Sequence, residues 1–338
     1  MRTKILFLAL AVIAMLGVGC AADAPAAPAL APNARVLKMG LANDEQSTWF
    51  KQATKFAELV KQRTNGKFAI SVFPNSSLAS GDQVKELEML QNGGIDLHIG
   101  GNIVYTNIDA RYTVAMMPWL FTTDKETDAA RTGALGKEML GFSDSKNIVG
   151  LCLAENGFRQ LTNSKREIKT PDDLKGLKIR VPPTQLYQSV FGAMGASSPV
   201  IDLPKLFDAL RDGSADGQEN AIDTVAARKL YDVQKHMTLW NYSYGFLFLG
   251  VNKPLWNSLD AATQDIVRKA AEESCNYQVD ESRKLTDSQL QLLKSKGMVV
   301  TTLSPEQIQV FRSKATPIYT QYEASIGKDL LNKWINRK

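Results

Sequence analysis

Histidine is almost missing from this 338-residue chain, which has only His98 and His236. The two stand far apart, and His98 lies inside the apolar run IDLHI, where a hydrogen-bonded structural imidazole is the expected role. Motifs for catalysis are missing as well. No G-x-S-x-G elbow, Gly-rich phosphate loop or H-E-x-x-H pair occurs, so the common hydrolase, nucleotide-binding and zinc-protease signatures are absent and no enzyme is expected. Charge of one sign is also scarce. The formal net charge is +5, and setting aside Arg2 and Lys4 leaves +3, with basic residues dispersed along the chain. That is not the footprint of a nucleic-acid-binding surface.

Long apolar runs are confined to the start. Arg2 and Lys4 precede an uncharged stretch from Ile5 to Val18, followed by small residues around Cys20. A basic start, a short apolar core and a small-residue exit predict a secretory signal peptide over residues 1–20. Two exits remain open: lipid attachment at Cys20 within GVGC, or cleavage after Ala22-Asp23-Ala24. Residues 21–34, rich in alanine and proline, read as a linker. The mature chain is therefore expected to be periplasmic, either soluble or lipid-anchored through Cys20. The two other cysteines are Cys152, in the apolar IVGLCLA, and Cys275, in a helical stretch. An oxidising compartment permits their pairing, but spacing cannot supply disulfide geometry, and two buried free thiols are expected.

What is present is an alternation of strand and helix patterns. RVLKMGLA, KFAISVF, IDLHI, NIVGLCLAEN, LKIRV and YGFLFLGV read as strands, separated by helical stretches such as 46–63 and 82–91. The pattern predicts an α/β protein with mainly parallel sheets. From Asp260 to about Ser295 a helical pattern runs without a breaker, longer than one small domain needs. Ser304-Pro305-Glu306-Gln307 then opens a final helix with a capping box. Two lobes braced by one helix imply a ligand cleft between them.

Asp212 to Asp223, DGSADGQENAID, has the outline of a calcium loop. Glu219 stands where an apolar residue belongs and Asp223 where a bidentate glutamate belongs, so a plain α/β connection is the better reading and no metal is expected. The arginines carry more information. Arg159 follows one apolar strand, and Arg180 ends the next clear one, against Pro182 and Pro183. A guanidinium fork matches a carboxylate bidentately, which lysine cannot do. On spacing alone, a surface pairing with Asp172 or Asp173 competes with a ligand role.

FAELVKQRTNGKFAISVFPNSSL, LTNSKREIKTPDDLKGLKIRVP, DALRDGSADGQEN and LYDVQKHMTL, read in succession, resemble the signatures of TRAP (tripartite ATP-independent periplasmic) transporter substrate-binding proteins of the DctP type. The resemblance covers about Leu37 to about Val300. It implies a two-lobe periplasmic binding protein fold with hinge strands and a long helix spanning both lobes. Lobe I would comprise 35–158 and about 246–285, and lobe II 159–245 and about 286–338. It implies a monomer without cofactor that closes on an organic acid and delivers it to a membrane permease. Arg180 would be the principal carboxylate clamp, Arg159 the second arginine, and Asn220 a hydrogen-bonding partner of the same carboxylate. A sensor subunit of the same fold would bind its ligand identically.

Departures bear on the ligand. Ala42 and Gly101 stand where the sialic-acid-binding branch has asparagine and glutamate, so that sugar is not expected, and Asn102 beside Gly101 becomes a candidate polar contact. Trp119, Trp240 and Tyr244 lie in aromatic clusters that either face the cleft or pack the hinge. If they face the cleft, they favour an aromatic or apolar monocarboxylate over the alternative of a sugar acid or dicarboxylate. Asp44 or Glu45 would then be placed to meet the ammonium of an amino-acid ligand.

Overall fold

A computed structural model describes residues 29–337. The expected signal peptide, Cys20 and most of the expected linker lie outside the described residues. Ten strands form two five-stranded sheets. In chain order they are β1 (Arg35–Leu41), β2 (Phe68–Phe73), β3 (Leu97–Gly101), β4 (Ile148–Phe158), β5 (Gln160–Asn163), β6 (Ile179–Arg180), β7 (Gly217–Asn220), β8 (His236–Leu239), β9 (Tyr244–Asn252) and β10 (Val299–Thr302). The first sheet has the order β2-β1-β3-β9-β4 and the second β10-β8-β5-β7-β6.

Neither sheet is mainly parallel, contrary to the expectation from strand–helix alternation. β9 runs antiparallel to both β3 and β4, and β5 runs antiparallel to both β7 and β8. The reversals arise because the chain crosses between lobes. β4 leads through Arg159 into β5, and β8 returns to β9, so one strand of each crossing pair lies in each sheet. These crossings are the hinge.

The helix Thr48–Arg63 begins at Ser47, whose side chain accepts from the Phe50 amide, and it buries Trp49, Ala53, Phe56 and Val60. The long helix runs Ala261–Ser295, capped by Asp260, which accepts from the Thr263 amide. Its 35 residues span about 50 Å at roughly 1.5 Å each. That reaches from β4 and the helix Thr48–Arg63 in the first lobe to the helix Ile222–Ala227 in the second. Its buried stripe includes Val267, Ala271, Cys275 and Val279. Cys275 is joined to Cys152 of β4 by a disulfide, with Cα atoms 6.4 Å apart. The free-thiol expectation is thereby corrected: the cysteines, 123 residues apart in sequence, meet where the long helix lies on β4.

The C-terminal segment is divided between the lobes rather than belonging wholly to the second. β10 joins the second sheet. The helix Lys328–Ile335 instead packs on the first lobe, with Trp334 edge-on to Phe121 at 6.1 Å and Lys333 paired with Glu138 at 2.6 Å. Between them, the helix Pro305–Ile326 touches both lobes, Tyr322 meeting Ser189 and Tyr319 donating to the Pro118 carbonyl.

Candidate functional site

A narrow cavity lies between the lobes. Trp49, Gln83, Gly101, Ile103, Val104 and Asn156 line it from the first lobe and the hinge. Arg159, Arg180, Pro182, Leu203 and Asn220 line it from the second. The lobes meet around it: the Leu203 amide donates to Gln83 Oε1 at 2.8 Å, and Asn107 donates to the Pro183 carbonyl at 2.8 Å. Farther out, Arg228 reaches from the second lobe to the Ala42 carbonyl at 2.7 Å and to Asn75 Oδ1 at 2.9 Å.

Arg180 sits at the end of β6, and the segment leading to Ile201 runs alongside it, Val181 donating to the Pro199 carbonyl and Ile201 to the Val181 carbonyl. Its Nε donates to the Ile201 carbonyl at 2.7 Å, which aims the guanidinium. Nη2 is buried with no hydrogen-bond partner among the described residues. The residue is 1% exposed and has no ion pair among the described residues. Burial pulls its pKa down from the ordinary arginine value, to about 9, with neighbouring Arg159 and Arg228 adding to the fall.

Arg159 is held differently. Its amide donates to the Ser243 carbonyl at 2.9 Å, tying the two hinge crossings together. The guanidinium gives Nε and Nη2 to the Glu219 carboxylate, and Nη2 also to Asn220 Oδ1 at 3.0 Å. It lies over the Tyr187 ring at 5.5 Å. Burial opposes its charge, but Glu219 more than offsets burial and the net pKa shift is upward. Nη1 remains buried without a partner among the described residues.

The two arginines do not come from neighbouring strands. Arg159 precedes β5 and Arg180 ends β6, and β7 lies between those strands. The arginines meet because β7 carries Glu219 and Asn220 into the gap. Asn220 donates Nδ2 to Gln218 Oε1 at 2.7 Å, leaving one amide hydrogen for the cavity.

The other candidates lie elsewhere. Asn102 is fully buried, accepting from the Phe246 amide at 3.0 Å and donating to the Tyr112 carbonyl at 3.2 Å, so it fastens β9 rather than facing the cavity. Trp119 donates Nε1 to the Trp240 carbonyl, and Trp240 packs edge-on against Phe311 at 5.2 Å. Tyr244 gives its hydroxyl to Glu155 at 3.0 Å. These rings brace the hinge: the polar tips of Trp119 and Tyr244 find partners there, Trp240 Nε1 is buried without one among the described residues, and the ring faces find one another. The case for an aromatic ligand loses that support. Asp44 accepts from the Gln46 amide at the start of the helix Thr48–Arg63 and does not line the cavity.

His98 is buried beside Tyr105 and Glu86, away from the cavity. The acids of the calcium-like loop diverge, Glu219 to Arg159 and Asp223 to Thr48 and Gln289. Trp49, Ile103, Val104 and Leu203 were missed because a cavity wall and a core face share one apolar pattern. Asn156 was missed because a bulge at Gly157, with φ of +93°, breaks the alternation of β4.

The sequence pattern of bacterial extracellular solute-binding protein family 7, DctP, matches residues 39–325. The C4-dicarboxylate-binding protein DctB of Bacillus subtilis is 28% identical over 282 residues, 83% of this chain and 80% of that protein. Among solved structures, a TRAP periplasmic solute binding protein of Ralstonia eutropha, bound to (S)-2-acetolactate, is 34% identical. It superposes with a TM-score of 0.87 and covers 90% of this chain and 99% of that one. The sugar acid binding protein DctPAm of Advenella mimigardefordensis, in complex with galactonate, is 30% identical with a TM-score of 0.87, covering 90% and 97%. The family pattern spans most of the chain and the fold superposes on these structures, so the chain belongs to the DctP family of bacterial extracellular solute-binding proteins.

Proposed function

We propose that this protein is the periplasmic solute-binding subunit of a TRAP transporter, a monomer that closes on an organic acid and hands it to a membrane permease. The observation that carries the reading is Arg180, a guanidinium buried between two lobes with no acid of its own among the described residues. Burying a charge without a partner is costly, and an anionic ligand removes that cost. Arg159, fixed by Glu219, offers Nη1 beside it, and Asn220 offers an amide hydrogen. Relatives with bound acetolactate, galactonate or succinate support the organic-acid class.

Binding, not turnover, is the proposed activity, and the ligand is expected to be recovered unchanged after long incubation. The disulfide fits an oxidising compartment. Two exits of the leader, lipid attachment at Cys20 and release after Ala24, are told apart by mass spectrometry of the mature N-terminal peptide. The function itself is tested by denaturing the purified protein, identifying released small molecules, and following melting temperature against monocarboxylates, dicarboxylates and sugar acids. A melting temperature that no organic acid raises would overturn it.

A further inference from the structure

Three features of the cavity together narrow the ligand beyond "organic acid". The first is charge. Of the residues that line the cavity, only Arg159 and Arg180 are ionic. Glu219 neutralises Arg159, while Lys205 lies 3.7 Å from Asp202, the other acid near Arg180. Among the lining residues one positive charge is left over, which a single carboxylate balances; Arg228 lies farther out, held by the Ala42 carbonyl and the side-chain oxygens of Asn43 and Asn75. A second carboxylate would be buried against Ile103, Val104 and Leu203 with no further cation in the lining to meet it.

The second feature is Asn156. It lines the cavity at 5% exposure, and its Oδ1 is buried with no hydrogen-bond partner among the described residues. The position is built. The bulge at Gly157 turns the chain so that Asn156 and Arg159, an odd number of residues apart, both reach the cavity. Gly101 and Gly245 clear the space beside the amide, since a Cβ on either would lie 3.2 or 3.0 Å from Nδ2. A buried acceptor held this way calls for a donor. An ammonium donor would add a cation beside two arginines, and no acidic residue lines the cavity; a hydroxyl adds none.

The third is the remaining wall, in which Gln83 is the one amide, its Oε1 taken by the Leu203 amide, and Trp49, Ile103, Val104, Pro182 and Leu203 present mainly apolar surface. The space is tight, about 20 Å³ open to the centres of water-sized molecules and enough for about one water, so the lobes must part to admit any acid, and a small one parts them least. A polyol chain would lose water there and find few partners.

We infer that the ligand is a small hydroxy monocarboxylate, its carboxylate on Arg180, its hydroxyl donated to Asn156, and its carbon skeleton against Trp49, Ile103, Val104 and Leu203. This rests on the organic-acid reading above.

Calorimetry on the purified mature protein tests it with four probes: α-hydroxyisovalerate, isovalerate, succinate and galactonate. The hydroxy acid should bind tightest, with isovalerate about 10- to 100-fold weaker because it leaves the Asn156 oxygen unpaired. In Asn156→Leu the hydroxy acid should fall to the level of isovalerate, whose own affinity changes less than about threefold. Isovalerate within threefold of the hydroxy acid in the wild type, or a preference that survives Asn156→Leu, overturns the role of Asn156. The wild-type ratio stands as a test even where the variant does not fold. Tightest binding of succinate or galactonate overturns the ligand class and leaves the organic-acid function intact. Failure of all four together with every acid of the melting screen overturns that function as well.

Discussion

The carboxylate of Glu219 takes Nε and Nη2 of Arg159, and Tyr242 adds its hydroxyl to the same carboxylate at 2.7 Å. Both side chains of the pair are at most 1% exposed. Arg180 shares the cavity and has no such acid among the described residues. One arginine is therefore a fixed part of the fold, while the other carries a charge still to be balanced.

The unbalanced charge makes Arg180→Ala the sharpest test of binding. Truncating one member of a buried charge pair costs about 2–5 kcal/mol, or about 30- to 5,000-fold in affinity. Titration calorimetry with the natural acid measures it. A loss below about threefold would show that the carboxylate sits elsewhere.

Glu219→Gln should act on the fold rather than on the ligand directly. It leaves Arg159 buried without its counter-ion, which costs about 3–5 kcal/mol, read by guanidinium denaturation of the ligand-free protein. The double variant Arg159→Met/Glu219→Leu removes both charges and should recover most of that stability, because apolar replacement of a buried pair is close to neutral. Ligand affinity should stay low in the double variant, since Nη1 of Arg159 is gone. Full recovery of affinity would remove Arg159 from the site.

The long helix and the two lobes were legible because their signals are local. Asp260 caps a breaker-free pattern, and the observed helix, Ala261–Ser295, fills the predicted range. The mixed sheets were not legible. β5, β7, β8 and β10 are four residues each, too short for periodicity to show, and their direction is set by crossings between lobes. Arg159, Arg180 and Asn220 could be grouped only through resemblance, since β7 brings them together from separate segments. Trp119 and Trp240 show the opposite limit: apolar aromatics at a hinge and in a cleft look alike until neighbours such as Phe311 are placed.

Glu155 gives a pH prediction. Burial lifts its carboxyl above the ordinary glutamate value, and Arg283 and Tyr244 hold the rise in check. A carboxyl raised in the folded state costs stability only when ionised. That cost is absent below about pH 4, the unfolded value, and grows as pH rises through the folded pKa. Arg283 donates Nε to Glu155 at 2.9 Å, so Arg283→Met should lift the carboxyl further. The variant should lose about 1.5–3 kcal/mol at about pH 7, and less at about pH 5, where more of the carboxyl is protonated in the fold. Denaturation curves at both pH values decide it; a deficit that grows on acidification would contradict the assignment.

The disulfide separates stability from selectivity. Cys152 and Cys275 are 123 residues apart, and closing a loop of that length restricts the unfolded chain strongly, so losing the bond should cost about 2–5 kcal/mol. Neither cysteine lines the ligand cavity. The variant Cys152→Ala/Cys275→Ala should therefore unfold at lower denaturant while ranking organic acids in the same order. The bond ties β4, which leads into the hinge, to the helix that spans both lobes, so a changed ranking would mean that this tie also sets the shape of the cavity. Thiol titration of the denatured, unreduced protein is the prior check: two free thiols on the mature soluble chain would show that the bond does not form.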